Sequence, residues 1–242
     1  MNKKYIIISI MIFLFIIISV ITINLMNSEI SDNINIQKAD SQIMYLNNQI
    51  IDITNRLNNL NDKRANNIFK LDNLIDWNSI EQNMAILYTS WTNIIIDLNN
   101  LNIEPKNLTE FGKILDSAII SVKNQSKTDT FNSLCDLYNL LTIYINSYSS
   151  DEVLKNNIST KYYLLRACSL IDTNNWTLVY DNILNAEKSY YLNINSISYT
   201  ENKNTQLLKN NIYISIKELE NIFTTKDIDL FYFKYNLIMN KL

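Results

Sequence analysis

Histidine is absent from this 242-residue chain, and glycine and proline occur once each, at Gly112 and Pro105. Without histidine there is no Ser-His-Asp or Cys-His nucleophile, no helical zinc motif, no carboxylate–histidine di-iron pattern and no histidine-ligated haem. A single glycine cannot supply a phosphate-cradling loop, nor the glycine-bearing turns that a sheet protein of this size needs. An EF-hand calcium loop is excluded for the same reason, since Gly112 falls inside an apolar stripe rather than in a run of oxygen ligands. Glu218 and Glu220 are close in sequence, but they are two residues apart and face different sides of a helix. These absences predict no cofactor, no metal and no enzymatic activity. Charge adds a further exclusion. With 21 Lys and Arg against 24 Asp and Glu, scattered along the chain, there is no basic patch for nucleic acid.

Only the helix is left as a building block, and the apolar residues follow its period. Ile36, Ala39, Ile43, Leu46, Ile50, Ile53, Leu57 and Leu60 alternate in steps of three and four. Trp77, Ile80, Met84, Leu87, Trp91, Ile94, Leu98 and Leu101 repeat the pattern before Pro105 halts it, and Asn107 is read as the cap of a third helix. Further stripes follow on Leu108 to Val122, Phe131 to Tyr148, Leu154 to Cys168, Trp176 to Tyr190, Leu208 to Ile222 and Ile228 to Ile238. Asparagine is abundant and a mediocre helix former, so packing of these stripes must supply the stability. The first two stripes are joined by a short connection, which predicts that their helices pack antiparallel on each other within one chain.

Tyr5 to Ser28 contains no charged residue and follows Lys3 and Lys4. At about 1.5 Å per residue this segment reaches roughly 36 Å, more than a hydrocarbon core of about 30 Å. The sequence therefore predicts a signal anchor at 1–28, a juxtamembrane spacer at 29–35, lipid contact through residues 5–28, and a single pass of the cell membrane. The lysines place the N-terminus inside and the C-terminal domain outside. A cleaved secretory signal is the competing reading, although Val20 to Met26 offers no small-x-small site.

The remainder reads as an antiparallel helical bundle or a short helical-repeat array with an internal duplication: a first unit at 36–150 and a second at 151–242. Leu74, Ile75, Asp76 and Trp77 are answered by Leu170, Ile171, Asp172 and Trp176, and Tyr138-Asn139-Leu140 by Tyr235-Asn236-Leu237.

Cys135 and Cys168 belong to no CxxC pair. Their distances from the turn near 149–151 put them at similar heights on two packed helices, so a disulfide is open to them, but two buried thiols are the favoured reading. Trp77, Trp91 and Trp176 occupy core-type positions. Adjacent tyrosines send one ring inward and the other toward a rim, which singles out Tyr163 and Tyr191 as a possible aromatic binding rim.

Leu87, Tyr88, Ser90 and Trp91, with Asn175, Trp176 and Thr177, give the chain a resemblance to extracytoplasmic helical proteins of clostridia and related Gram-positive bacteria, which are membrane-anchored or lipoprotein-like. The resemblance covers most of residues 70–240 and implies no activity. The absence of cysteine after the apolar segment departs from the lipoprotein members. The functional expectation is a non-catalytic envelope protein whose monomeric domain presents helices to another envelope protein; the alternative is an extracytoplasmic small-ligand sensor with a separate signalling partner.

Overall fold

The computed structural model describes residues 35–58, 75–101, 103–195 and 202–242, and these are helical throughout. The helices are α1 (35–57), α2 (Trp77–Asn100), α3 (Pro105–Lys123), α4 (Lys127–Tyr148), α5 (Glu152–Leu170), α6 (Trp176–Asn195), α7 (Lys203–Glu220), α8 (Ile222–Thr225) and α9 (Ile228–Met239), with a 3-10 turn at Ile171–Thr173.

The expected stripes become the core. Ala39, Ile43, Leu46, Ile50, Ile53 and Leu57 of α1 are buried, as are Ile80, Met84, Leu87, Trp91, Ile94 and Leu98 of α2. The two helices run antiparallel: Lys38 pairs with Asp97 at 2.9 Å, while at the far end Arg56 donates to the Ser79 hydroxyl at 2.9 Å. α4 lies deepest. Leu137, Leu140 and Tyr144 are buried in addition to its expected stripe, because α3, α5 and α1 all bear on it. Later helices pack on their sequence neighbours, α5 on α6, α6 on α7 and α7 on α9, and α9 also returns to α5. One buried cluster runs from Ala39 to Met239, so the helices on either side of the 149–151 turn share a core.

The helix ends show local chemistry. Asp76, Asp151 and Asp227 each accept a hydrogen bond from the backbone N–H three residues on, opening α2, α5 and α9. Asn175 does the same for Leu178, so the tryptophans at 77 and 176 both follow a capping side chain. At α3 the sequence reading is corrected. The helix begins at Pro105 itself, with Glu104 as its cap position, and Asn107 lies in the first turn. Proline suits the first helical position because its missing N–H would find no partner there.

The membrane expectation is also corrected. The segment 5–28, on which the anchor and its lipid contact rest, lies outside the described residues. Among the described residues no helix is long and apolar enough to cross a membrane. The physical reason is visible in each long helix: α2 carries Glu81 and Asp97, and even the deeply buried α4 carries Lys127, Asp129 and Asp136. α9 is apolar on two faces, but its 12 residues span only about 18 Å. Single-pass topology, a cell-membrane location with the domain outside, lipid as partner and an envelope role thus have no described element behind them. What stands is an all-α bundle.

Candidate functional site

Four places in the bundle combine exposure, polarity or strain in a way that could serve function. The first is a groove of about 350 Å³ between α2 and α3, lined by Met84, Tyr88, Ile119 and Val122 with Glu81 and Thr89 at its polar edge. The Thr89 hydroxyl already donates to the Ala85 carbonyl at 2.9 Å, which leaves the Glu81 carboxylate and the Tyr88 hydroxyl as the polar groups of the lining. One exposed carboxylate on an apolar wall does not assemble an acid, a base and an oxyanion donor.

The second is the buried centre where α4, α5, α9 and the end of α1 meet. Cys135 and Cys168 are buried free thiols. Asn58 donates its amide to the Cys168 sulfur at 3.4 Å, and the Cys135 thiol points to the Leu165 carbonyl at 3.8 Å. Burial pushes the Cys135 thiol up to about 12 and Cys168 well above its ordinary value, so neither is a ready thiolate nucleophile. Tyr138 and Tyr235 enter the same region fully buried, and burial drives both phenols upward. The Tyr235 hydroxyl lies beside Cys168 without a hydrogen bond of good geometry, and the Tyr138 hydroxyl has no partner among the described residues. A buried hydroxyl without a partner loses its hydration and regains nothing. Tyr138→Phe is therefore expected to raise unfolding stability by about 1 kcal/mol in urea titration; a loss of similar size would reveal a partner for the hydroxyl.

The third lies between α6 and α7 and contains Tyr191 of the expected rim. Tyr191 is half-exposed and its ring sits 5.7 Å from that of Tyr213. The Tyr213 hydroxyl donates to Glu187 at 2.8 Å, Lys217 reaches the same carboxylate oxygen at 3.3 Å, and the Lys217 ammonium stands 5.6 Å from the Tyr213 ring centre. Burial, and after it the neighbouring Glu187 carboxyl, raise Glu220 above its ordinary value. Tyr163, the other expected rim residue, is half-buried on α5 with its ring 5.1 Å from Tyr162. Each rim tyrosine thus has a ring partner of its own, Tyr162 for one and Tyr213 for the other. The Glu187–Lys217 pair escapes a sequence reading that compares charges within one helix. It is formed across two helices, and only their register brings it together.

The fourth is the outer face of α9. Phe231, Tyr235 and Ile238 point into the core, while Leu230, Phe233 and Leu237, on the opposite side, are 37%, 47% and 45% exposed. Lys234 on the flank pairs with Glu218 of α7 at 3.5 Å and donates to its carbonyl at 3.2 Å. One turn on from this bridge along each antiparallel helix come Leu237 and the exposed Ile214. Lys226 precedes the stripe by four residues and Lys241 follows it by four; both are exposed and neither has an ion pair among the described residues.

Among the described residues no group of three or more His, Cys, Asp or Glu is placed to hold a metal ion. The chain matches no known protein family, no curated protein and no solved structure.

Proposed function

We propose that the chain is a non-catalytic binding scaffold that receives an amphipathic helix of a partner protein along the outer face of α9, with the acidic end of that helix at Lys241. The observation behind this reading is the second apolar stripe. A helix that contributes to a core through one face needs only one row of large apolar residues, and α9 has two on opposite sides. Covering a Leu or Phe that is now open to water favours association by about 1.5 to 3 kcal/mol when burial is complete, and residues spaced three and four apart match the ridge of a docking helix. The ends of the stripe define the partner's charge. Lys241 stands at one end without an ion pair among the described residues, whereas at the other end the exposed Asp227 and Asp229 offset Lys226, so this face prefers a helix with its acids at the end that meets Lys241.

The reading is tested with two synthetic amphipathic peptides that share one leucine stripe and differ in having glutamates or lysines at one end. Fluorescence anisotropy against the full chain should show the glutamate peptide binding about threefold to fivefold tighter, from exposed charge contacts at the Lys241 end. Phe233→Glu should abolish that binding and leave the thermal melt unchanged, because Phe233 lies outside the core. Equal affinities for the two peptides, or binding that survives Phe233→Glu, would overturn the assignment.

A further inference from the structure

The α2–α3 and α6–α7 helix pairs bury the same positions. Counted from Trp77, α2 buries Ile80, Met84, Leu87 and Trp91; counted from Trp176, α6 buries Val179, Ile183, Ala186 and Tyr190 at the same steps. α3 buries Phe111, Leu115 and Ala118, and α7 answers with Ile212, Ile216 and Leu219. This correspondence puts Glu81 in the place of Tyr180, Tyr88 in the place of Glu187, and Gly112 and Asp116 in the places of Tyr213 and Lys217. Between α6 and α7 the seam is filled. The Tyr180 and Phe223 rings meet at 4.9 Å, and no room for a water remains between them and Ile183 and Ile222. Tyr213 and Lys217 then reach across to Glu187 at 2.8 and 3.3 Å. Between α2 and α3 these closing groups are missing: Gly112 has no side chain, and Asp116 makes no bond to α2 among the described residues. The groove of about 350 Å³ is what that difference leaves.

We propose that the α2–α3 groove binds a small organic cation, an aromatic ring joined by a short chain to a protonated amine. The ring takes the kind of space that Tyr180 and Phe223 fill in the other pair, against Met84, Ile119 and Val122, and the ammonium group meets the Glu81 carboxylate. The volume lies within the range of small-molecule sites, about 300 to 1,000 Å³. Tyr88, 44% exposed on the wall, offers the negative face of its ring to the same cation. This site is independent of the α9 face.

The charges around the groove select the sign of the ligand. Glu81 is the charged residue of the lining, and it makes no hydrogen bond or ion pair among the described residues. On α3, Asp116 lies one turn before Ile119 and Lys123 one turn after it; both are exposed, and neither is paired among the described residues. The remaining cations near these helices are engaged: Lys113 faces Glu110 at 3.8 Å, and Arg56 of α1 is held by Asp52 at 2.7 Å. Two unpaired acids against one unpaired lysine favour a cation over an anion. An anionic ligand would have to use Lys123 while lying beside Glu81, which makes Lys123 the residue that separates the two cases.

An NMR titration of the isotope-labelled full chain with phenethylamine tests this directly. The amide signals of residues 81–89 and 119–122 should shift saturably, with a dissociation constant of about 1 mM. Phenylpropanoate, which carries the same ring and the opposite charge, should bind about threefold more weakly. Glu81→Gln should remove that preference while the ring still binds. Ala85→Trp, at an exposed position of the groove wall, fills the space and should abolish the shifts with the thermal melt unchanged. Four results would overturn the proposal: no saturable shift, equal affinity of the native chain for both probes, a carboxylate preference that Lys123→Gln removes, or amine shifts that survive Ala85→Trp.

Discussion

In urea titration the Ile50→Asp chain is expected to show no cooperative transition, because the substitution places a charge at the centre of the α1 stripe, where the side chain is 0% exposed. Two penalties combine. Removing most of a buried isoleucine side chain forfeits about 2 to 5 kcal/mol. An unpaired carboxylate in an apolar site adds several kcal/mol more, whether it stays ionised or takes up a proton. Their sum is comparable with the whole stability of an ordinary domain, roughly 5 to 15 kcal/mol. The effect should spread beyond α1, because α1 is bonded to α2 through Asp97 and Ser79, to α4 through the Tyr148–Asp40 hydrogen bond at 2.9 Å, and to the Cys168 region through Asn58. Ile50→Val, which trims one methylene, should fold and lose only about 1 kcal/mol. A cooperative Ile50→Asp transition close to that of the native chain would mean that α1 is not part of the core.

Periodicity makes the interior legible where one helix face does all the burying. α1 and α2 are such helices, and their expected stripes are buried except at the ends; Ile36, Trp77 and Leu101 are only partly buried, and Leu60 lies outside the described residues. α6 behaves likewise through Val179, Ile183, Ala186 and Tyr190. Periodicity says less where a helix has apolar residues on more than one side. α4 buries nearly all round, which a single stripe cannot report. On α7 the expected stripe includes Leu208, yet that residue is half-exposed and the core position is filled by Ile216. On α9 the expected row of Phe231, Tyr235 and Ile238 is the one that meets the bundle, but that stripe does not report the second row at Leu230, Phe233 and Leu237. Capping chemistry is legible to within a turn, as at Pro105. Cross-helix pairs are not: nothing in the sequence places Glu187 beside Lys217, since the registers of α6 and α7 are set by packing. The ring partners of the rim tyrosines are no more legible, since Tyr163 meets the adjacent Tyr162 of its own helix and Tyr191 meets Tyr213 of α7.

Trp91→Ala should produce the other large loss, about 3 to 5 kcal/mol, with the near-UV dichroism of the aromatic core strongly reduced. Trp91 is 4% exposed and its ring stacks on Phe111 at 4.0 Å between centroids, with Tyr144 at 6.4 Å from Trp91 and 6.2 Å from Phe111. The three rings come from α2, α3 and α4, so the stack joins three helices at one point. Tyr144 is fixed by its hydroxyl, which donates to the Asn107 carbonyl at 2.8 Å, and so cannot swing freely into a vacated space. An indole removed from such a site leaves a void that backbone movement closes only in part, and ring-pair interactions worth roughly 0.5 to 1.5 kcal/mol beyond simple burial go with it. Trp91→Phe keeps a ring against Phe111 and should lose markedly less than the alanine variant. If both substitutions prove equally mild, under about 1 kcal/mol, the neighbouring helices close over the site and the stack is not what holds α2 to α3 and α4.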